Sequence, residues 1–557
     1  MHGQARALLV ATAAALLVLA SGTALAGDGD HGKTRAHHGD RGSAHAKHGV
    51  RAQKKLAKVD RIVVIYEENH SFDNLYGDWE RVEGRDDADA AHTTQVKQDG
   101  TPYDCLPQND VNLVGKLACW PNAPFAIEDY IPAEAKTCPD GVKDPTGNPG
   151  GCTRDLVHRF YQEQYQLNGG KQNRYTTGSD AKGLTQGYYR TRNLPIYRYL
   201  HGKHHQRYAI ADHLFQGAFG GSFLNHQWLI AAATPTWPGA PADQHSIVDS
   251  NGMPIAYAPE YVPTGPVADK PLTQACPGVR PDLLCGDYAV NTIQPPYQPY
   301  SMGAGGTPPA VQLPPQTHAT IGDRLSAAGV DWAWYSGGWS NANGDVGGPG
   351  WTNGTSACTD PATAANNKFP NCPNKYFQYH HQPFNYFANY APGKPARAAH
   401  LRDEQEFLAA AKSSRHGCAL KPVSFIKPIG LENEHPGYAS EHQGSDHLVD
   451  LLKAVNDGGC RKRTMVVVTY DEFGGQWDHV PPPGQGTATP GVHDLHGPGT
   501  RIPALVLSPG LRGRFVVDSA SHDTTSIAAT IEHRFGLAPL TSRDAAVQDL
   551  STVFTAH

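Results

Sequence analysis

The chain has 557 residues, of which 39% are hydrophobic and 18% are charged, so it is long enough to bury a large core. Its formal net charge of -6 lacks the basic excess that nucleic-acid-binding domains usually carry. We therefore expect a globular protein that does not bind nucleic acid.

The first 26 residues have the parts of a secretory signal peptide. Arg6 precedes an apolar run from Ala7 to Leu19, and Ala24-Leu25-Ala26 precedes Gly27 in the pattern of a cleavage site. An uncleaved membrane anchor is the alternative, because the segment is almost long enough to span a bilayer. The run is only mildly apolar, so we favour cleavage and expect a secreted or periplasmic protein without stable membrane insertion.

Residues 27–58 are rich in His, Gly, Lys, Arg and Asp and contain few aliphatic side chains. Such a segment cannot bury enough apolar surface to fold alone, so we predict a disordered linker. A metal-scavenging or surface-binding tail is the alternative interpretation of its histidines.

Ten cysteines, an even number, fit a disulfide framework in an exported protein. Zinc sites are disfavoured, because no C-x-x-C spacing occurs. Sequence alone does not fix the connectivity, and we expect neighbours along the chain to pair. The expected pairs are Cys105–Cys119, Cys138–Cys152, Cys276–Cys285, Cys358–Cys372 and Cys418–Cys460.

The segment from Arg61 to Asp73 begins as an apolar stretch and ends abruptly in acidic and amide side chains. A short run of Val and Ile bounded by polar residues is typical of a buried strand in a parallel sheet. In open α/β sheets the functional crevice lies beyond the carboxyl ends of strands, where Glu68 and Asn69 fall. Their oxygens suit a divalent cation.

Residues 77–153 are polar and rich in Gly, Pro and Asp, which predicts loop insertions held by disulfides rather than regular structure. Asp155–Leu167 has apolar residues at helical spacing and places His158 near the start of a predicted helix. A lone histidine on a helix is more often structural than catalytic, so the spacing alone gives His158 little weight.

The segment Tyr208–Ala233 predicts a short strand, a glycine-rich turn and an apolar helix that begins near Ser222. Glycines permit close approach of the backbone, and a helix start offers free N–H groups and a positive dipole end to an anion. Ser222 therefore lies where a hydroxyl that attacks phosphate would be useful. A simple role as a helix N-cap is the alternative.

Two later segments extend the α/β pattern. Residues 235–317 predict loops that shape a pocket, and Ala319–Tyr335 predicts a helix followed by a strand. Thr464–Tyr470 predicts a second buried strand, which ends in Asp471 and Glu472. One acidic strand end would be an ordinary solvated turn, but two of them indicate a shared site.

Oxygen ligands at two strand ends and a serine at a helix start fit metal-assisted phosphoryl transfer. The cation would lower the pKa of the serine and neutralise charge on the phosphoryl group. Histidines would hold phosphate oxygens or protonate the leaving oxygen. A Ser-His-Asp acyl hydrolase is weakened, because Ser222 is not in G-x-S-x-G and a triad would leave the acidic strand ends without a role.

Four ordered motifs resemble the bacterial phosphoesterase family, which contains secreted acid phosphatases and phospholipases C of the alkaline-phosphatase-like superfamily. They are Glu68–Asp73, Gly220–His226, Asn433–Tyr438 and Tyr470–Gly475, and the resemblance runs from about Val59 to Leu537. It implies an α/β, alkaline-phosphatase-like fold with a central mostly parallel sheet flanked by helices and long disulfide-bearing loop insertions. Residues 59–557 would form the phosphoesterase catalytic domain.

The resemblance also implies roles for individual residues. Ser222 would be the nucleophile of a phosphoserine mechanism. A divalent cation, whose identity the sequence does not fix, would be held by Glu68, Asn69, Ser222, Asp471 and Glu472. His158, His381 and His435 match family histidines that contact phosphate or the leaving group, with His381 preferred over His380 for its spacing to Pro383. His479 is a further candidate beside the site, because it closely follows the strand that ends in Asp471 and Glu472.

The motif around Ser222 and the His-Pro-Gly-Tyr run look more like the acid-phosphatase branch, so we expect phosphate monoesters as substrates. A phospholipase C that cleaves head-group diesters is the nearest alternative, with loops among residues 235–317 as its lipid-facing surface. A non-catalytic secreted protein with a structural calcium ion is the alternative of another class. The sequence leaves the oligomeric state open.

Overall fold

A computed structural model describes residues 49–110, 112–131, 153–203, 207–254, 256–273, 286–299, 309–352, 377–413, 417–437, 439–486 and 489–557. The predicted signal peptide and most of the predicted linker therefore lie outside the described residues. Among the helices that are described, none is both long enough and apolar enough to cross a membrane.

The core is an eight-stranded sheet in the order β13-β6-β12-β11-β1-β10-β8-β9. Only β12 runs antiparallel to its neighbours, so the sheet is mostly parallel, as the resemblance implied. The strands are β1 Arg61–Glu67, β2 Leu106–Pro107, β3 Cys119–Trp120, β4 Phe125–Ala126, β5 Gly187–Tyr188, β6 Tyr208–Ala211, β7 Leu214–Phe215, β8 Trp332–Ser336, β9 Leu401–Asp403, β10 Val423–Lys427, β11 Thr464–Tyr470, β12 Ala504–Leu507, β13 Phe515–Asp518 and β14 His522–Asp523.

Helices flank this sheet and complete the predicted α/β architecture. They are α1 at residues 49–56, α2 Phe72–Leu75, α3 Ala90–Thr93, α4 Phe160–Leu167, α5 Pro195–His201, α6 Ser222–Ala231, α7 Ile321–Ala327, α8 Trp339–Asn343, α9 Pro395–His400, α10 Glu404–Lys412, α11 Glu441–Asp457, α12 Thr525–Phe535 and α13 Ser542–Ala546. Helix α6 packs against α7 and α12, whereas α11 packs against α10 and α5.

The register of the two central strands determines where the site lies. Strands β1 and β11 are parallel and pair over their full length, from Arg61 opposite Thr464 to Glu67 opposite Tyr470. All their side chains except that of Arg61 are buried, which explains the continuous apolar runs in the sequence. Because the two strands end at the same level, the residues that follow each of them meet at one edge of the sheet.

Two predicted boundaries are wrong. The predicted linker extended to residue 58, but residues 49–56 are helical, with Ala52 and Leu56 buried. Ala52 and Leu56 are four residues apart and therefore lie on one face of the helix. The low aliphatic content of residues 27–58 as a whole concealed this short apolar face. The predicted helix Asp155–Leu167 begins only at Phe160, so His158 lies in the extended segment before the helix.

Two of the five predicted disulfides fall on described residues, and both are confirmed. Cys105 pairs with Cys119, and Cys418 pairs with Cys460. The first links the strand pair β2–β3 within the loop insertion that precedes α4, and the second connects the segment before β10 to the end of α11. The other three predicted pairs lie outside the described residues.

Candidate active site

Three carboxylates meet at the ends of β1 and β11. Glu68, Asp471 and Glu472 are fully buried, and the backbone N–H of Asn69 lies 3.4 Å from Oδ1 of Asp471. Asn69 has a φ of 60°, a left-handed conformation that costs a non-glycine residue energy and is found preferentially at functional sites. The backbone is therefore held in a strained turn where the predicted ligands lie.

Ser222 is the first residue of α6, and Gly221 rather than Ser222 is the N-cap. The alternative that Ser222 is only a cap is therefore wrong. Its Oγ lies 3.2 Å from Oε2 of Glu68 and 3.5 Å from Oε1 of Glu472. We call Ser222, Glu68, Asp471 and Glu472 the Ser222 cluster.

A glycine sets the position of this serine. Gly220 has a φ of 89°, and a Cβ built on it would lie 2.5 Å from the backbone nitrogen of Phe160. Only glycine fits both requirements without strain. The glycine-rich turn thus lets the start of α6 approach α4 closely, and this approach directs Ser222 toward the strand ends.

The Ser222 cluster carries more negative charge than the surrounding residues balance. Burial raises the pKa of Glu68 and of Glu472 well above the ordinary value, and the charge of Asp471 raises both further. A positively charged side chain in contact with the cluster is that of Lys427, whose Nζ forms an ion pair with Oε1 of Glu68. The sheet register explains the position of Lys427, because this residue ends β10, the strand that pairs with β1.

The residues present fit a divalent cation. Asp471 Oδ2 and Asn69 Oδ1 are buried and have no hydrogen-bond partner among the described residues. One ligand atom from each of Glu68, His226 and Asp471 can be chosen so that all three lie within 4.8 Å of one another. Carboxylate and amide oxygens with one imidazole form a suitable donor set for such an ion, and its charge would offset the clustered carboxylates.

Two of the predicted histidines line the cleft beside Ser222. Nε2 of His158 is 3.6 Å from Oε1 of Glu472, and its Nδ1 is 2.5 Å from the carbonyl oxygen of Leu156. The ring of His435 packs edge-on against that of His158, with centroids 6.0 Å apart. Burial lowers the pKa of both histidines.

His381 lies deeper than predicted. Its Nε2 is 3.1 Å from Oε1 of Glu68, and its ring stacks on His226 at 5.0 Å. Its neighbour His380 lines the cleft instead. The two adjacent rings lie at 81° in the 3-10 turn Tyr379–His381 and face different surroundings, and the preferred role of His381 in contacting phosphate or the leaving group stays a prediction.

His479 lies in a separate network. Its Nδ1 is 2.6 Å from Oδ2 of Asp73, and Arg501 pairs with both Asp73 and Asp478 at 3.1 Å. This arginine balances the carboxylates, which makes the group a buried ion-pair network. Within the described part of the chain, His479 has no contact with the Ser222 cluster, and the structure does not bring it to the predicted site.

Two residues of the site were missed by the sequence analysis, namely Lys427 and His226. Lys427 is a charged residue at the end of an apolar strand, as Glu67 is. Its position in the sequence was therefore a usable signal for a site residue. His226 lies one helical turn after Ser222, and its Nδ1 is 2.7 Å from the carbonyl oxygen of Ser222. That spacing of four residues was a usable signal.

Ser222 opens onto a cleft of about 480 Å³. Its wall contains His158, His380 and His435, together with Arg154 and Arg159. Arg159 also lies over the ring of Tyr257, at 4.8 Å from the ring centroid. The cleft therefore places a serine hydroxyl, imidazoles and guanidinium groups around one space, an arrangement suited to an anionic substrate.

Comparisons with known proteins identify the family to which the chain is similar. A family model described as the phosphoesterase family matches residues 59–538. Phospholipase C B of Mycobacterium tuberculosis is 25% identical over 538 residues, covering 90% of this chain and 78% of that protein. Phospholipase C A of the same organism is 32% identical over 169 residues, covering 27% of this chain and 31% of that protein. Non-specific phospholipase C6 of Arabidopsis thaliana is 29% identical over 144 residues, covering 23% of this chain and 28% of that protein.

Proposed function

This chain belongs to the phosphoesterase family and is a hydrolase acting on phosphoric ester bonds, and on that premise we propose that it cleaves phosphate monoesters with Ser222 as nucleophile. The observation that carries the proposal is the position of Ser222. Its hydroxyl lies between two buried carboxylates at the start of a helix and faces a cleft with cationic and imidazole groups.

In the proposed reaction, Oγ of Ser222 attacks phosphorus, and the bond from phosphorus to the ester oxygen breaks. The hydroxyl points at Oε2 of Glu68, which is placed to receive its proton. Nδ1 of His158 donates to the carbonyl of Leu156, so Nε2 of the neutral ring is an acceptor, and it can relay a proton from solvent water to the leaving oxygen. Water then hydrolyses the phosphoserine, releasing phosphate and restoring Ser222.

Glu68, Asn69, Asp471, Glu472 and His226 are the residues that would hold the divalent cation. When bound, such an ion lowers the pKa of the serine hydroxyl and offsets negative charge on the phosphoryl group. The chain's own part is to keep these donors oriented and to exclude water from them, which their burial achieves.

Phosphate monoesters are proposed because two arginines lie in the cleft wall, which also contains Asp155 and Asp180. A monoester carries up to two negative charges near neutral pH, and guanidinium groups match phosphate oxygens in pairs. Arg154 and Arg159 both line the cleft, and each is held by a carboxylate, Arg154 by Asp180 at 3.0 Å and Arg159 by Asp269. These ion pairs fix the arginines in place.

The direct test is turnover of an aryl phosphate by the protein and by Ser222→Ala. Loss of the nucleophile should lower kcat by at least roughly a thousandfold, because catalysis through a covalent intermediate is removed. Ser440→Ala is a matched control, since Ser440 caps α11 outside the cleft wall. Near-normal turnover by Ser222→Ala would refute the assignment of the nucleophile.

A second candidate activity is cleavage of lipid phosphodiesters, as the names of the relatives suggest. One structural observation favours it. Three large apolar side chains are exposed within a single stretch, Ile247 at 40%, Tyr257 at 52% and Val262 at 69%, and Tyr257 also lines the cleft. Exposed apolar groups beside an active site are typical of surfaces that contact lipid.

The two candidates are separated by assaying an aryl phosphate and phosphatidylcholine vesicles side by side. If monoesters are the substrates, phosphate release should exceed lipid cleavage, and Val262→Asp should leave it unchanged. If lipid is the substrate, Val262→Asp should depress vesicle hydrolysis, whereas Val346→Asp, an equally apolar exposed site, should not. Faster hydrolysis of vesicles than of the aryl phosphate would contradict the monoester proposal.

We also propose that the protein acts outside the cytoplasm. The two disulfides of the described residues support this location, because disulfides persist mainly in oxidising compartments. Recovery of activity from the culture medium or periplasm of the expressing cell, with Ala26 cleaved from Gly27, is the expected result. Activity confined to the cytoplasm would contradict it.

A further inference from the structure

A second group of ligand-type residues gathers near the other side of β1. Glu67 ends β1, Glu404 begins α10, Glu432 follows β10, and His447 lies within α11. We propose that these four residues, here called the Glu67 cluster, form a second binding site for a divalent cation of the Zn²⁺ or Mn²⁺ type. This site is distinct from the Ser222 cluster and shares no ligand with it.

The side chains are already spaced for a metal ion. Nε2 of His447 lies 3.0 Å from Oε1 of Glu404 and 3.8 Å from Oε2 of Glu432. One ligand atom from each of these three residues lies within 4.8 Å of the other two. In a tetrahedral site with bonds of about 2.0–2.2 Å, neighbouring ligand atoms are roughly 3.5 Å apart, so the observed spacing needs little adjustment.

Glu67 supplies an independent indication of a binding site. Its side chain is fully buried, and neither carboxylate oxygen has a hydrogen-bond partner within the residues that the structure describes. The charge of Lys427 acts on it most strongly, those of His447, Glu404 and Glu432 act on it as well, and its own charge acts on His447. A buried carboxylate without a partner is costly, and a cation placed in the cluster would provide that partner.

Successive residues at the end of a strand point to opposite sides of the sheet, which separates Glu67 from Glu68. Glu68 contacts Ser222 of α6, whereas Glu67 interacts with residues of α10 and α11. The two clusters therefore lie beside different helices although their ligands are adjacent in sequence. Lys427 forms an ion pair with Glu68 and donates to the backbone carbonyl of Glu67, and its charge acts on both carboxyl groups.

The charge and the access route also suit a cation. Three carboxylates surround one imidazole in the Glu67 cluster. A surface cleft of about 450 Å³ has His447 in its wall, so an ion can reach the cluster from solvent, and the charges of Asp450 and Asp457 in that wall offset those of Lys412 and Lys453. One imidazole nitrogen among carboxylate oxygens favours Zn²⁺ or Mn²⁺ over Ca²⁺, which prefers oxygen ligands alone.

The experiment counts the zinc bound by the full chain after removal of metals by a chelator and dialysis against Zn²⁺. His447→Gln should bind one equivalent fewer than the unaltered protein, and Glu404→Gln should behave in the same way. Asp471→Asn should also lose one equivalent, from the Ser222 cluster, and the double variant Asp471→Asn/His447→Gln should lose two. His442→Gln is the matched control, since it removes a histidine from the same helix but outside the cluster.

Cobalt gives a readout that does not depend on counting. Co²⁺ bound to the Glu67 cluster should give a visible absorption band that His447→Gln removes and His442→Gln keeps. His447→Gln should also keep its turnover of an aryl phosphate within about twofold, because its ion-pair partners Glu404 and Glu432 lie outside the wall of the cleft beside Ser222.

The alternative is that the Glu67 cluster holds only protons, with His447 charged and paired to Glu404. In that case His447→Gln and Glu404→Gln would bind as much zinc as the unaltered protein, and this result would overturn the proposal. The outcome is independent of the proposed nucleophile, because failure of Ser222→Ala to abolish turnover would leave the zinc counts unchanged.

Discussion

Nδ2 of Asn69 donates a hydrogen bond to Nε2 of His435 at 2.8 Å. Nδ1 of the same ring contacts the carbonyl oxygen of Pro436, which can only accept, so Nδ1 carries the proton and Nε2 is the acceptor. The amide of Asn69 is thereby fixed with its nitrogen toward His435, and Oδ1 is left as a ligand atom. His435 thus orients a ligand in addition to lining the cleft.

We expect His435→Leu to weaken binding of the cation at the Ser222 cluster by roughly 10–100-fold, because loss of a partner that orients a ligand typically has this effect. Titration of the metal-free protein with Mn²⁺ against a competing chelator measures the change. His493→Leu, which removes an exposed histidine, is the control. Equal affinity in His435→Leu and the unaltered protein would show that Asn69 needs no such support.

The network around Arg501 makes a contrasting prediction. Arg501 is fully buried and pairs with Asp73 and Asp478, so removal of one carboxylate charge leaves the guanidinium poorly compensated. Asp478→Asn should therefore lower the free energy of unfolding by about 3 kcal/mol. Cation content should not change, because this network is separate from the Ser222 cluster.

Denaturant unfolding and metal analysis of the same samples check this prediction. Asp60→Asn is the control, because it disrupts only an exposed pair with Arg463 and should cost no more than about 1 kcal/mol. If Asp478→Asn loses bound metal, His479 and its neighbours contribute to the metal site, as the sequence predicted, and the separation of the two networks is wrong.

The sequence was sufficient to predict the strand-end carboxylates and the serine. Buried parallel strands leave a clear mark as unbroken runs of Val and Ile, and the change to Glu68 or Asp471 marks the edge of the sheet. Glycines before Ser222 likewise indicated a tight approach before a helix. These features are local, so adjacent residues were enough to reveal them.

Features that depend on rotation or distant contacts could not be predicted in the same way. His380 and His381 are adjacent, and only the folded turn shows which ring faces the cleft. His479 is only seven residues after Glu472 in the sequence. In the structure, however, it contacts Asp73 and Arg501, which belong to a different network. Strand β12 looked like any other buried strand, and its antiparallel direction is not encoded in its apolar pattern.

Stability should depend on pH through His213. Nδ1 of His213 is 3.0 Å from Asp212, and Nε2 is 3.1 Å from Glu83. Burial lowers the pKa of His213, but these hydrogen bonds more than offset burial and raise the pKa to about 9, against a nearby opposing charge on Arg501. The folded-state pKa exceeds the unfolded value, so the stabilisation is fully present below about pH 6.5 and is lost as pH rises through 9.

We expect His213→Gln to lower the free energy of unfolding by about 3 kcal/mol at pH 6 and to have almost no effect above pH 9.5. Urea unfolding of both proteins at several pH values measures the difference. The exposed His493→Gln should show no such trend. A difference that grows with increasing pH would have the wrong sign and would contradict the assignment.

The position of Ser222 should be sensitive to a single methyl group at Gly220. Gly220→Ala adds a Cβ that would lie 2.5 Å from the backbone nitrogen of Phe160, in addition to the strain of a φ of 89°. The start of α6 must then shift, and a displacement of about 1 Å in a reacting group can cost roughly a hundredfold in rate. We expect kcat to fall by about that factor while the bound cation is retained.

Gly239→Ala separates the clash from the strain. Gly239 has a φ of 70°, but no atom lies within 4 Å of the added Cβ. It should lose about 1 kcal/mol of stability from the left-handed backbone and keep its turnover. Both variants place alanine at a positive φ, and only Gly220→Ala also introduces a clash. If kcat falls in Gly220→Ala but not in Gly239→Ala, the clash with α4 is the cause. Equal kcat values would mean that Ser222 tolerates movement of its turn.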